Sequence, residues 1–489
     1  MRTTNSTGHL VVLLLLAGCA GPSRASLSAG DGLRPPPFSL PEFAGRIGVA
    51  REDITPPVGI YARNWGAAKH DVAEGIHKPL TLTVLTLQED ERGAPLILAA
   101  ADLGWWRTRS DEEYVRGPLL EELKLDPARV MINLSHTHAG PSLCREDRDR
   151  PGGHLIEPYL AKVRDALLKT ARAALAGAVT ATLTWGRGRC DLAVNRDLKD
   201  PDRDRWVTGF NPGAEADDTV IVGRVTDAES RVRAVLVNYA CHPTTMAWEN
   251  RLISPDYPGA MRETVESRVP GALCLYLHGC SGEVSARETY TNAENCDRQG
   301  RQLGYAALST LEGMLPPRTR LEYAGVVESG APLATWKRVA ATPASKLRAI
   351  RTEVELQLQS LPSVSQIEAD LAKCEDRVMA ERLRRKRRVR QIVGDGDTTR
   401  APLWLWRVGD GYLVGQPNEA YSHLQTELRR TTPGGAVVAM NLVNGSIGYL
   451  PPVGHYGRDL YQVWQSPFDK GSLERVIAAA RRGIADLDR

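Results

Sequence analysis

The stretch "RVMINLSHTHAGPS", residues 129–142, decides how this chain is read. An apolar run ends at Ser135, and His136 and His138 flank one threonine before a Gly-Pro turn. A short apolar run bounded by turn signals reads as a buried strand. In α/β proteins ligands collect at the carboxyl ends of strands. Residues two apart in a strand point to the same face, so the two imidazoles are expected side by side. Such a pair can share a metal, or one ring can ligate while the other handles protons.

Outward from this strand the pattern repeats. "LTLTVLTLQ" (80–88) and "PLILAAADLG" (95–104) read as neighbouring strands joined by a polar turn. "SDEEYVRGPLLEELKL" (110–125) reads as a helix with Ser110 as its N-cap. "EPYLAKVRDALLKTARAALAG" (157–177) is an amphipathic helix ending at Gly177. "VRAVLVNYACHP" and "ALCLYLHGCSG" are further apolar strands running into reactive residues. Alternating strands and helices predict an α/β fold. Three strand ends, "HTH", "CHP" and "CSGEVS", would share one functional rim.

Residues 343–394 differ in composition and predict a helical hairpin broken near Pro362. Its basic run "RLRRKRRVR" reads as a solvated helix face, with anionic lipid head groups as the alternative contact. The α/β pattern resumes with "LWLWRVGDGYLVGQPNEAY", a strand pair turning at Gly409–Gly411.

A length of 489 residues with 42% hydrophobic content is globular, and a net charge of +3 gives no reason to expect a nucleic-acid partner. "LVVLLLLAG" before Cys19 is too short to span a bilayer and suits a signal-peptide core. "LAGC" has the form of a bacterial lipobox, so residues 1–19 are expected as a lipoprotein signal, 20–44 as a tether and 45–489 as the catalytic domain. Cys19 would then anchor the protein in the bacterial envelope, with Ala20 favouring the outer membrane. Unchanged membrane fractionation of Cys19→Ser would count against this. Among the remaining seven cysteines, Cys280 and Cys296 could pair.

"GCSGEVSARE" (279–288) offers Ser281 and Ser285 as nucleophiles or oxyanion donors, although its spacing is not that of a G-x-S-x-G elbow. His242 adds a third strand-end histidine and strengthens the metal reading.

Taken in order, "GVAREDITPPVG", "EGIHKPLTLTVLTL", "NLSHTHAGPS", "AVNRDLKDP", "NYACHPTTM", "GCSGEVSARE", "GQPNEAYSHLQTELR" and "NGSIGYLPP" resemble the neutral/alkaline, non-lysosomal ceramidases over roughly residues 45 to 470. The resemblance implies a mixed-sheet ceramidase-like catalytic domain carrying the helical hairpin as an insertion able to cap the site. The β-sandwich domain that follows in the family is not expected here. It implies a Zn2+ site of His136, His242, Glu419 and Tyr449, with His138, Ser285 and Arg196 as catalytic groups. Around Ser285 the family's Asn and Asp are replaced by Cys280 and Glu283. The implied activity is hydrolysis of the N-acyl amide of ceramide or a related lipid. Zinc-activated water is the favoured nucleophile, with attack by Ser285 the alternative. An esterase or deacylase, or a metal-binding surface lipoprotein without turnover, remain the competing readings.

Overall fold

A computed structural model describes residues 34–289, 292–432 and 434–489. The signal, the lipobox and Cys19 lie outside the described residues. Two compact units are present. The smaller comprises residues 34–37 with 322–337, the latter being the outer part of a hairpin of strands Thr319–Glu328 and Pro332–Ala340. The larger unit carries everything below.

Its first sheet has eight strands: β1 Glu42–Asp53, β2 Thr81–Gln88, β3 Leu96–Ala101, β4 Val130–Leu134, β5 Val179–Arg189, β6 Thr219–Asp227, β7 Val232–Tyr239 and β8 Leu273–His278. They lie in the order β8-β7-β6-β5-β1-β2-β3-β4. Neighbours are antiparallel except at the two ends, where β7 pairs with β8 and β3 with β4 in parallel. A second sheet is formed by β9 Leu347–Gln357, β10 Thr398–Val408, β11 Gly411–Gly415 and β12 Ala436–Met440, with β11 and β12 parallel. Parallel neighbours put their carboxyl ends on one side. The residues after β4, β7, β8, β11 and β12 supply the site described below.

The two sheets pack face to face through Leu85, Leu98, Met131, Trp404, Trp406 and Met440. Helices α1 Arg109–Leu123, α2 Ile156–Ala176, α3 Tyr257–Arg268 and α4 Ala293–Glu312 cover the outer face of the first sheet. Helix α8 Ser472–Asp488, with α7 His423–Thr431, covers the second. The result is a mixed α/β fold in four layers. Buried Asn133 ties the layers at their carboxyl ends: it accepts from the His278 amide at 2.7 Å and donates to the Asn441 carbonyl at 2.7 Å. Among the described residues no helix is long and apolar enough to cross a membrane.

Several sequence expectations change. The expected hairpin over 343–394 is helical only in α5 Val364–Ala372 and α6 Arg377–Val393. Residues 347–357 form β9 instead, paired along their whole length with β10. Val354 and Leu356 are buried two apart, while Glu353, Glu355 and Gln357 face outward. That is a strand period, which the long charged side chains had disguised as a helix face. Helix α1 is capped by Thr108, whose hydroxyl accepts from the Asp111 amide at 3.2 Å, and not by Ser110. The fold includes residues ahead of 45: Phe43 is fully buried and β1 starts at Glu42. Cys280 and Cys296 are free thiols, both buried.

Candidate active site

Strand β4 stops at Leu134, and His136 follows in a left-handed turn with φ of +68°. Strand alternation therefore does not set the two histidines side by side, as the sequence reading had it. The turn does, bringing the His136 and His138 rings to 4.8 Å. Non-glycine residues rarely adopt positive φ, and such strain concentrates at functional sites. Here the Thr137 hydroxyl holds it, donating to the Ser254 carbonyl at 2.7 Å. His242 follows β7 and pairs by backbone with Ser285. Glu419 and Tyr449 sit opposite one another on two short parallel strands.

Donor and acceptor roles define what these groups want. Nδ1 of His242 lies 2.7 Å from the Ser281 carbonyl oxygen, which can only accept. The proton is therefore on Nδ1, and burial, aided by Arg196, pushes this imidazole down to about 3, so the ring is neutral. Its Nε2 then presents a lone pair, 3.0 Å from Glu419 Oε2, another acceptor. His136 repeats the pattern, with Nδ1 3.4 Å from the Gly104 carbonyl and Nε2 3.2 Å from the same Oε2. The three ligand atoms lie within 4.8 Å of one another. Facing lone pairs at that spacing fit a cation, and carbonyl-anchored Nδ1 atoms are the usual support of Nε2 ligands. The Tyr449 hydroxyl is 3.4 Å from His242 Nε2. Burial and the Glu419 carboxylate push its phenol well above the usual tyrosine range.

Arg196 is buried, not a surface residue beside Asp197. Its Nη2 donates to the Gly282 carbonyl at 2.7 Å and reaches Tyr449 Oη and His242 Nε2, each at 3.3 Å. His138 is wedged between Trp65 and Trp105, with ring centroids 5.0 Å from each. Both its ring nitrogens are buried without a hydrogen-bond partner among the described residues, and burial holds its pKa well below the ordinary value. A cavity of about 60 Å³ opens against His136, His138, Glu419 and Tyr449. Arg196, His242 and Ser285 are not among the residues that line it. Ser285 is buried on the short strand Val284–Ala286. Ser281 is committed elsewhere, its hydroxyl 2.9 Å from His278 Nε2.

Sequence reasoning missed two parts. His278, at the end of β8, is fully buried with its ring 5.4 Å from His136. Its position at the end of an apolar run was the available signal. The basic run is solvated on one side only, at Arg382 and Lys386. Glu381, Arg385, Arg388, Val389 and Ile392, all on one side of α6, line the cavity, and Arg388 is 5% exposed.

The loop around Ser285 accommodates its longer carboxylate. Glu283 accepts from the Ser422 amide, at 3.0 and 2.9 Å to its two oxygens, and from the Ser422 hydroxyl, at the start of α7. A β-carbon at Gly282 would stand 2.9 Å from the Glu419 carbonyl oxygen, so only glycine fits there. Burial outweighs these donors and pushes Glu283 up to about 7. The folded state therefore keeps a proton that the unfolded chain releases near the ordinary 4.5. This contribution is present below that value and is lost as pH rises to 7. We expect Glu283→Gln to gain on the parent by roughly 3 kcal/mol between those limits. Urea denaturation across the range checks it, and a difference independent of pH would refute it.

No known family profile and no curated protein matches this chain. Among solved structures it is similar to the neutral ceramidase from Pseudomonas aeruginosa, with a TM-score of 0.65 and 17% identity over 92% of this chain and 74% of that one. It is also similar to a ceramidase complexed with C2, with a TM-score of 0.62 and 17% identity over 92% and 76% of the respective chains. The chain thus has the α/β fold of the neutral ceramidases, with a possible metal site of His136, His242 and Glu419 at its strand ends.

Proposed function

We propose that this protein is a zinc-dependent amidohydrolase that cleaves the N-acyl amide of ceramide or a related lipid into a fatty acid and an amine. The observation that carries the reading is the set of three lone-pair donors, His136 Nε2, His242 Nε2 and Glu419 Oε2, directed at one point beside a cavity. Nitrogen and oxygen donors in that number suit zinc, with Tyr449 as the fourth ligand. Zinc bound there would polarise a carbonyl and lower the pKa of water.

The chain's own groups supply the rest. His138, neutral and without a hydrogen-bond partner among the described residues, takes a proton at a ring nitrogen and returns it to the leaving amine. Trp65 and Trp105 fix its plane and keep bulk water away. Arg196, whose Nη2 reaches the Tyr449 hydroxyl at 3.3 Å, offers an N–H donor to the oxygen on which charge develops. Ser285, adjacent to His242, orients the attack.

Zinc content and hydrolysis of a fluorogenic N-acyl-sphingosine test this on the parent and on Ser285→Ala. The expected result is one zinc per chain in both proteins, turnover in the parent, and a loss of about a hundredfold in the variant. Absence of zinc, or zinc without turnover of any N-acyl amide, would overturn it.

A further inference from the structure

Helix α6 brings into the cavity a guanidinium that makes no ion-pair contact among the described residues, although the Glu381 and Glu419 carboxylates of the same cavity act on it from further away. Arg385 lines the space shared by His136, His138, Glu419 and Tyr449. It donates to the Tyr461 hydroxyl at 3.1 Å, and its Cζ lies 5.6 Å from the centroid of Trp105. Two arginines further along the helix are matched. Arg388 holds Asp147 at 2.6 Å, and Arg387 holds Glu146 at 2.7 Å. Glu381, one turn back on the same helix, is engaged by Arg107 at 3.5 Å and Arg384 at 3.6 Å. Among the described residues no carboxylate is in ion-pair contact with Arg385.

A half-buried guanidinium facing a cavity favours an anion, and its planar fork meets a carboxylate or phosphate with two parallel hydrogen bonds. The partner would sit close to the chemistry. The Trp105 indole that carries Arg385 also packs against His138 at 5.0 Å and His136 at 5.4 Å. One indole separates the cation from the metal donors, so an anion on Arg385 and a carbonyl at the donors belong to one molecule.

We infer that the substrate is an N-acyl compound carrying an anionic group, carboxylate or phosphate, that pairs with Arg385 while its amide meets the His136, His242 and Glu419 cluster. This rests on the amidohydrolase reading above and narrows it, because ceramide itself has no such group. The reaction is unchanged: water adds its oxygen to the acyl carbon, the C–N bond breaks, and the proton leaves with the amine.

Three substrates with one acyl chain separate the cases on the zinc-loaded enzyme: N-lauroylglycine, N-lauroyl-phosphoethanolamine and neutral N-lauroylethanolamine. The parent should favour at least one anionic substrate in kcat/KM by about tenfold or more, the better of the two identifying carboxylate or phosphate as the partner. In Arg385→Gln the anionic-to-neutral ratio should collapse toward one, chiefly through KM. Arg385→Lys should restore part of it, because charge returns without the fork. A parent ratio near one, or a ratio that survives Arg385→Gln, would overturn the inference. Quenching of tryptophan fluorescence by the same three compounds reads binding without turnover. Charge-selective binding lost in Arg385→Gln supports the anion site even if no amide is cleaved, in which case the amidohydrolase reading alone fails. Cleavage without charge selectivity sinks the anion site and leaves that reading intact.

Discussion

His242→Ala is expected to leave the protein without zinc and to slow amide hydrolysis by about a thousandfold or more, the scale of losing a preorganised electrostatic group. The variant removes one of three lone pairs that meet near Glu419 Oε2. The ring that is lost is also the best supported of the set, its Nδ1 anchored on the Ser281 carbonyl. His136 and Glu419 alone form a two-donor site, too few for a tetrahedral ion. Elemental analysis of the purified variant is the direct measurement. A chelator should also lower the melting temperature of the parent and leave that of His242→Ala unmoved, because metal stabilises only the fold that binds it. Zinc at full stoichiometry in the variant would remove His242 from the site.

Asp147→Ala should destabilise the protein by about 3 kcal/mol, the range for breaking a buried ion pair from one side. Asp147 is 3% exposed and joins the 142–147 loop to Arg388 of α6, which lines the cavity. It accepts from the Ser142 hydroxyl at 2.9 Å and from Arg388 at 2.6 Å, and Arg107 stands 3.7 Å away. Alanine leaves two buried guanidiniums with weaker partners, Glu146 3.4 Å from Arg388 and Glu381 3.5 Å from Arg107. Burial alone would raise the Asp147 carboxyl, but Arg107 and Arg388 outweigh it and hold it below the ordinary 3.8. Its contribution is therefore complete above that value and is lost as pH falls through the depressed one. Denaturant melts of parent and variant at neutral pH measure the difference. A change under about 1 kcal/mol would show that α6 is held by other contacts.

These two residues were unequally visible in the sequence. His242 announced itself by ending an apolar strand, as His136 did. Asp147 sits in the run "CREDRDR", where nothing marks one acidic residue as buried. Its partner Arg388 is 241 positions away. Glu419 and Tyr449 entered only through the order of motifs, because neither has a local signature of ligation. His278 went unremarked although it shares the strand-end position of His136 and His242.

By itself the sequence determined what is local. Apolar runs of strand length, closed by glycine and proline, dictate where the chain turns, and so which histidines stand at strand ends. The succession of such runs and amphipathic helices determined the α/β class. The tertiary structure alone decided what meets. Parallel pairing sets the carboxyl ends of β7 and β8, and of β11 and β12, side by side, and Asn133 at the end of β4 joins both pairs through the His278 amide and the Asn441 carbonyl. Only that assembly directs His136, His242 and Glu419 at one point. The same holds for β9 and α6. An alternation of charged and apolar residues suits a strand or a helix until a partner strand is present. A run of arginines suits water until Asp147 and Glu146 are brought against it. Burial of charge depends on counter-charges remote in sequence, and their placement is a property of the fold.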